Sequence, residues 1–300
     1  MKKEIGFVGL GRMGLNMTTL LVEKGFRVVG TDLNEEMRVS ASAVGVETKR
    51  DFSELATALG DDRVVWLMIP SKFVDAVLDE LIPHLNPGDT VIDGGNSFYQ
   101  DSLRRHHELK ERGVDFLDCG VSGGMSGARH GASIMVGGQE DVFLKYEHIF
   151  KALSAENGYA WVGNEGAGHF VKMIHNGIEY GMMGAIAEGV AVLHKHENQF
   201  GIDLKEVFKP YEHESIISSK LVSWLRQAYE EGQIDTIRGE VPTGETEFEM
   251  EHIVAEFGDV KVLEAALSQR RASREQESYL GKLVAAMRNQ FGGHKVIEKK

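Results

Sequence analysis

Residues 9–14 read Gly-Leu-Gly-Arg-Met-Gly, and their setting constrains the fold more tightly than any other stretch of the chain. The residues before them (EIGFV, 4–8) have the apolar pattern of a strand. Those after them (MTTLLVEKG) form an amphipathic helix ending near Gly25, and FRVVGT (26–31) makes a second strand with Asp32 at its end. Strand, GxGxxG, helix, strand and acid in that order are the dinucleotide fingerprint of a doubly wound sheet. Gly9 permits the tight turn, Gly11 lets backbone approach a pyrophosphate, and Gly14 allows close helix–strand packing. The pyrophosphate is expected at the positive end of the helix beginning near Arg12, with Gly9, Leu10, Gly11, Arg12, Met13 and Gly14 around it. Asp32 suits an adenosine ribose 2′-hydroxyl and would repel a 2′-phosphate. Leu33 and Asn34 follow it directly, with no arginine, so NAD is expected over NADP.

The alternation continues through VVWLMI (64–69), a helix over 71–82, a strand over 88–94, a polar helix over 101–112 and the strand VDFLDC (114–119). A hairpin-like or edge element is expected at 132–138 and a last strand at 159–163. Ligands in such sheets bind beyond the carboxyl ends of strands. Those ends carry Met68, Asn96 in DGGNS, and Ser122, Gly123 and Gly124 in GVSGG. Cys119 ends an apolar strand with no base beside it and reads as a small core residue. From about residue 166 the pattern is helical throughout, which divides the chain into a Rossmann-like domain (1–163) and an all-helical domain (164–300). The first helix, 166–196, exceeds ordinary globular length and suggests a buried spine or an oligomer interface.

On that helix Lys172, Asn176 and Glu179 are four and three residues apart and so share a face. Two readings stay open for them alone: a salt-bridged surface stripe, or an acid–base site. Thirty-three basic against 46 acidic residues give a formal charge of −13, which argues against nucleic acid and an anionic membrane as partners. HKHEN (194–198) lies at the polar end of the helix without a second ligand cluster, so no metal is expected. A single cysteine, with no convincing export signal, leads us to expect a cytoplasmic protein.

The motifs GLGRMG (9–14), IDGGNS (92–97), GVSGG (120–124), GHFVKMIHNGIEYG (168–181) and FGGH (291–294) together resemble the decarboxylating 6-phosphogluconate dehydrogenases in their short form, within the β-hydroxyacid dehydrogenase group. The resemblance runs from residue 5 to about 294. It implies a cofactor domain followed by a helical domain that forms most of the substrate site and the contact between copies, as dimer or tetramer. It implies a general base at Lys172, a general acid at Glu179, and a sugar acid held by Asn96, Ser122, Gly123, Gly124, His175 and Asn176. Tyr180 matches a phosphate contact, while Arg288 and His294 resemble residues that reach into a neighbouring subunit's site. Arg270 matches a further phosphate ligand, with the register in QRRAS open towards Arg271 or Arg274. The implied reaction is oxidative decarboxylation of 6-phospho-D-gluconate to D-ribulose 5-phosphate and CO₂ with reduction of NAD. Such chemistry needs a neutral lysine to take the hydroxyl proton and a neutral carboxyl to protonate the enediol.

One loop departs from that pattern. EVPTGETEFEME (240–251) lacks the basic residue, has Phe248 near an expected tryptophan, and brings in Glu245, Glu247 and Glu249. Either another cation supplies the charge or the acid oxidised is less phosphorylated; we expect the loop to face solvent. The alternatives are an NAD-dependent dehydrogenase of unphosphorylated gluconate or a short β-hydroxyacid, and a nucleotide-sensing or imine-reducing relative. Loss of Lys172 or Asn176 would favour the last, and both are present.

Overall fold

The computed structural model describes residues 3–299, and the chain divides into two compact units, Met1–Lys172 and Met173–Lys300. The first unit runs β1 (Glu4–Val8), α1 (Arg12–Glu23), β2 (Arg27–Thr31), α2 (Glu35–Ala43), β3 (Glu47–Lys49), α3 (Phe52–Ala58), β4 (Val64–Leu67), α4 (Val74–Leu81) and β5 (Thr90–Asp93). It continues with α5 (Tyr99–Lys110), β6 (Asp115–Ser122), α6 (Gly124–His130), β7 (Ala132–Gly137), α7 (Glu140–Leu153) and β8 (Ser154–Gly163). The strands form one sheet in the order β3-β2-β1-β4-β5-β6-β7-β8. Every pair is parallel except β6 with β7. This is a Rossmann dinucleotide-binding sheet, and its reversal of strand order beside β1 lies next to the glycine turn.

The strands read as apolar runs because both faces are covered. Successive residues go to opposite cores: Phe7, Val28, Trp66, Ile92 and Leu117 to one, Val8, Val29, Leu67, Val91 and Phe116 to the other. The element expected at 132–138 as hairpin-like or an edge is β7: it runs antiparallel to β6, but it is an inner strand because β8 pairs on its other side. Between Asp32 and Val64 the chain folds into α2, β3 and α3, which periodicity does not announce because α2 buries only Ala41.

The second unit is all helical and begins within α8 (Ala167–Phe200), a continuous 34-residue helix. It adds α9 (Leu204–Glu212), α10 (Lys220–Glu230), α11 (Gln233–Thr236), α12 (Glu245–Phe257), α13 (Lys261–Glu275) and α14 (Tyr279–Gly292). α10 starts at Lys220, where Ser219 caps it by accepting from the Val222 N–H. Gly177 faces Leu263, Ile253 and Met250 of α12 and α13 at ordinary contact distance, and Gly184 faces the flexible Gln269 side chain. Among the described residues no helix is long and apolar enough to cross a membrane.

The first turn of α8 is seated on the sheet of the first unit by backbone contact. Asp118, midway along β6 and 1 % exposed, accepts from the N–H groups of Gly166 and His169, both at 2.8 Å. A Cβ on Gly168 would lie 2.3 Å from the Asp118 carbonyl oxygen and 2.7 Å from the Gly137 nitrogen. A Cβ on Gly120 would lie 2.4 Å from Cβ of Lys172. Only hydrogen fits at these positions. Gly168→Ala, which drives a methyl into main-chain atoms that cannot swing aside, should cost roughly 1–3 kcal/mol. Urea unfolding of the variant beside wild type measures it.

Candidate active site

The glycine turn after β1 has the geometry a dinucleotide needs. Gly9 has φ +93, and a Cβ there would sit 2.4 Å from the Met68 carbonyl oxygen; one on Gly14 would sit 1.9 Å from the Gly9 oxygen. Gly11, by contrast, has open space where its Cβ would be, and it starts α1 without a side-chain cap or an acid in the first turn. Uncapped N–H groups beside open space fit a pyrophosphate. Asp32 is anchored by two backbone donors, Leu10 N at 2.7 Å and Asn34 N at 2.8 Å. Arg38 donates to the carbonyl oxygens of Asp32 and Leu33 at 2.5 and 3.2 Å. A guanidinium therefore stands six residues beyond the acid, on a helix the sequence reading did not find.

Asn96 is held on a loop built around a buried ion pair. Asp93, fully buried, accepts from Gly95 N at 3.1 Å, Ser97 Oγ at 2.7 Å and Arg105 Nη1 at 3.3 Å. Arg105, 2 % exposed, turns its Nε to Asp75 at 2.7 Å. Both charges are thus paired and hydrogen-bonded, the condition for tolerating them in an interior. Ser122 and Gly123 end β6, where Gly123 takes φ +119 to turn the chain into α6. Cys119 is fully buried, and burial, with the charges of Asp118 and Asp93, pushes its thiol pKa well up.

Along α8, Lys172 and Glu179 are half-buried and Asn176 is 5 % exposed. The Asn176 amide donates from Nδ2 to Glu249 Oε2 at 3.1 Å, and its Oδ1 lies 3.4 Å from Nδ1 of the half-buried His175. One turn further, Tyr180 is buried, its hydroxyl 2.6 Å from Thr246 Oγ1. The Arg270 guanidinium lies over the Tyr180 ring, 3.9 Å from its centroid. Arg270 is 3 % exposed, and among the described residues none of its three side-chain nitrogens has a hydrogen-bond partner. Burial lowers its pKa, and the charges of Arg288 and Arg274 press in the same direction, against Glu179. Burial also lowers the pKa of Arg288, which Glu179 and Glu247 partly offset.

These contacts distinguish the arginines of QRRAS: Arg270 is buried on Tyr180, while Arg271 pairs with Glu251 near the surface. Arg274 is bound at both oxygens of Glu247, at 2.7 and 3.1 Å. The expectation of a solvent-facing loop over 240–251 is overturned for Glu247 and Glu249, 7 % and 5 % exposed. Each carboxylate has a polar partner inside the unit, so neither needs water. Phe248 between them is 60 % exposed, and the Glu245 side chain lies outside the described residues. Arg288, assigned by the resemblance to a neighbouring subunit's site, is buried in its own chain and donates to the Pro242 carbonyl at 3.0 Å. His294 stacks edge-on to Phe291 at the end of α14. Sequence reasoning gave no role to Asp93, His169, Glu247 or Glu249. Of these only His169 carried a signal, being three residues before Lys172 on the same face.

Residues 4–163 match the family model described as the NAD binding domain of 6-phosphogluconate dehydrogenase, and residues 168–232 match the 6-phosphogluconate dehydrogenase C-terminal domain. The chain is 41 % identical over 299 residues to a putative 6-phosphogluconate dehydrogenase of Bacillus subtilis, covering 99 % of this chain and 100 % of that protein. It is 35 % identical over 301 residues to the NAD(+)-dependent, decarboxylating 6-phosphogluconate dehydrogenase of Haloferax volcanii, covering 99 % of both. The decarboxylating enzyme of Haemophilus influenzae is 42 % identical over 203 residues, 64 % of this chain but 42 % of that longer protein. Among solved structures, Plasmodium falciparum 6-phosphogluconate dehydrogenase, studied with NADP+ and with 6-phosphogluconate, superposes with a TM-score of 0.83 at 30 % identity. That match covers 91 % of this chain and 62 % of the other. A 3-hydroxyisobutyrate dehydrogenase of Mycobacterium tuberculosis (TM-score 0.75, 21 % identity, 96 % and 100 % covered) shares the fold.

A buried cation with no hydrogen-bond partner is a cost to the ligand-free fold. Arg270→Met, which keeps the packing on Tyr180 and removes the charge, should stabilise the ligand-free protein by roughly 1–3 kcal/mol. Chemical denaturation checks this, and a lower midpoint would mean that the guanidinium is well solvated where it lies.

Proposed function

The chain belongs to the 6-phosphogluconate dehydrogenase family, and we propose that it oxidises 6-phospho-D-gluconate with NAD, releasing CO₂ and D-ribulose 5-phosphate. The observation that carries the phosphorylated substrate is Arg270, a buried guanidinium with three unused donors beside Tyr180, Thr246 and Arg288. A phosphate dianion supplies the acceptors and the negative charge such a group lacks. Residues 1–163 hold the dinucleotide, and 164–300 the sugar acid and the contacts between copies. NAD, when bound, takes up the hydride. Asp32, whose carboxylate would repel a 2′-phosphate, favours it over NADP.

In this reading Lys172 removes the hydroxyl proton as the alcohol is oxidised, then as an ammonium donates to the new carbonyl oxygen while CO₂ leaves. Asn176, its amide fixed by Glu249, orients the reacting carbons, with Asn96, Ser122, Gly123, Gly124 and His175 on the carboxylate and hydroxyls. Glu179, three residues beyond Asn176 on the same face, hands a proton to C1 of the enediol. Steady-state turnover with 6-phosphogluconate, gluconate and 3-hydroxyisobutyrate, each with NAD and NADP and with CO₂ collected, tests the assignment. Preference for gluconate would move the protein to the unphosphorylated alternative, and preference for NADP would overturn the reading of Asp32.

A homo-oligomer in the cytoplasm is part of the proposal. Ile178, Met182 and Val192 are exposed along α8 at helical spacing, 61 %, 41 % and 57 %, which suits the face of another copy. Sedimentation would show dimer or tetramer, and a monomer at micromolar concentration would remove this part.

Lys172→Met should abolish oxidation, at least about 1,000-fold in kcat, while NAD binding persists. Glu179→Gln should bind both ligands and fail to protonate the enediol, so release of ribulose 5-phosphate at the wild-type rate would contradict its role. Arg270→Met should raise KM for 6-phosphogluconate by about 100-fold and leave turnover of gluconate little changed.

A further inference from the structure

His169 lies in the first turn of α8, three residues before Lys172, and is 2 % exposed. Its ring touches two elements that are distant in sequence. Nε2 is 3.2 Å from the carbonyl oxygen of Gly95, in the loop that carries Asn96, and Nδ1 is 2.7 Å from Oγ of Ser102 on α5. A carbonyl oxygen only accepts, so Nε2 bears the hydrogen. The Ser102 hydroxyl has two partners in reach, Nδ1 at 2.7 Å and the Phe98 carbonyl at 3.4 Å. The hydroxyl can donate to Nδ1 or accept from it, and Asp118 Oδ2 stands 4.0 Å from the same nitrogen, so the contact at Nδ1 holds for either form of the ring while Nε2 keeps its hydrogen.

The main chain of the same residue is tied to β6, since its N–H donates to Asp118 Oδ2 at 2.8 Å. The Gly95 peptide is tied from its other side, its N–H donating to Asp93 at 3.1 Å. His169 therefore joins the Asn96 loop to the turn of helix that leads into Lys172, and every hydrogen-bonding atom it has on that side is in use.

We propose that His169 is a positioning residue that fixes the spacing between Asn96 and Lys172. It rests on the reading above, in which these two side chains act on one substrate. Displacement of a reacting group by about 1 Å costs on the order of 100-fold in rate. A residue that only fills space would be replaceable by any ring of its size. His169 is not, because the buried Gly95 carbonyl would lose the ring N–H and the buried Ser102 hydroxyl would keep only its 3.4 Å contact with Phe98 O.

Three variants and one spectrum test this. His169→Phe keeps the volume and removes both hydrogen bonds. His169→Asn reaches Ser102 but falls short of Gly95, whereas His169→Gln extends an amide N–H to the Gly95 carbonyl. On 6-phosphogluconate, kcat per folded enzyme should fall roughly 10- to 100-fold in the Phe and Asn variants, with KM for NAD changed less than about threefold, and should largely recover in the Gln variant. Hydrogen exchange at residues 95–97 should quicken in Phe and Asn and return towards wild type in Gln. Side-chain ¹⁵N shifts of the ligand-free wild type should show a hydrogen on Nε2. Wild-type kcat in the Phe variant, no recovery with Gln, or a ring without a hydrogen on Nε2 would overturn the proposal. If wild type itself does not turn over 6-phosphogluconate, the functional reading fails, and exchange and the state of Nε2 still decide the clamp.

Discussion

Two N–H groups at the start of α8 and one carboxylate from β6 set the position of the first turn of that helix, and with it of Lys172. Asp118 takes both donors, and no side chain intervenes because Gly168, Gly137 and Gly120 leave the backbones in contact. A helix N-terminus needs acceptors for its first N–H groups. Here the acceptor is a buried residue of the sheet, so satisfying the helix also locates it. Lys172 follows one turn later, directly over Gly120. Local hydrogen-bond accounting thus becomes a distance between sheet and base, with little freedom for either to drift.

The protein handles its buried charges in two ways. At Asp93 and Arg105 each ion has a partner, and the pair stiffens the DGGNS loop. Arg274 with Glu247 repeats that solution in the helical unit. Arg270 differs: it stacks on Tyr180 with its donors unused. Under the proposed function the contrast separates scaffolding from recognition, since a group kept for a ligand is left incomplete by the fold, at the expense of stability.

What could be read from the sequence follows the range of the interactions involved. The glycine turn, its flanking strands and Asp32 are local, within about thirty residues, and their period and spacing suffice. The same holds for the face shared by Lys172, Asn176 and Glu179. The stretch from Leu33 to Asp62 was not legible, because α2 buries one alanine and β3 has three half-buried residues, leaving no periodicity to detect. The acidic loop misled for a different reason. Glu247 finds Arg274 twenty-seven residues later, and Glu249 finds Asn176 seventy-three residues earlier. Alternate glutamates look solvated unless those partners are known. Arg38 was missed with the helix that carries it.

The incomplete Arg270 site also links metabolism to survival of the molecule. A ligand that binds only the folded form lowers the population of open forms in proportion to its occupancy, and proteases act on those open forms. If Arg270 is the phosphate site proposed above, a buried cation short of acceptors gains more from occupancy than an interior already neutral, and abundance would track the supply of sugar acid with no dedicated sensor.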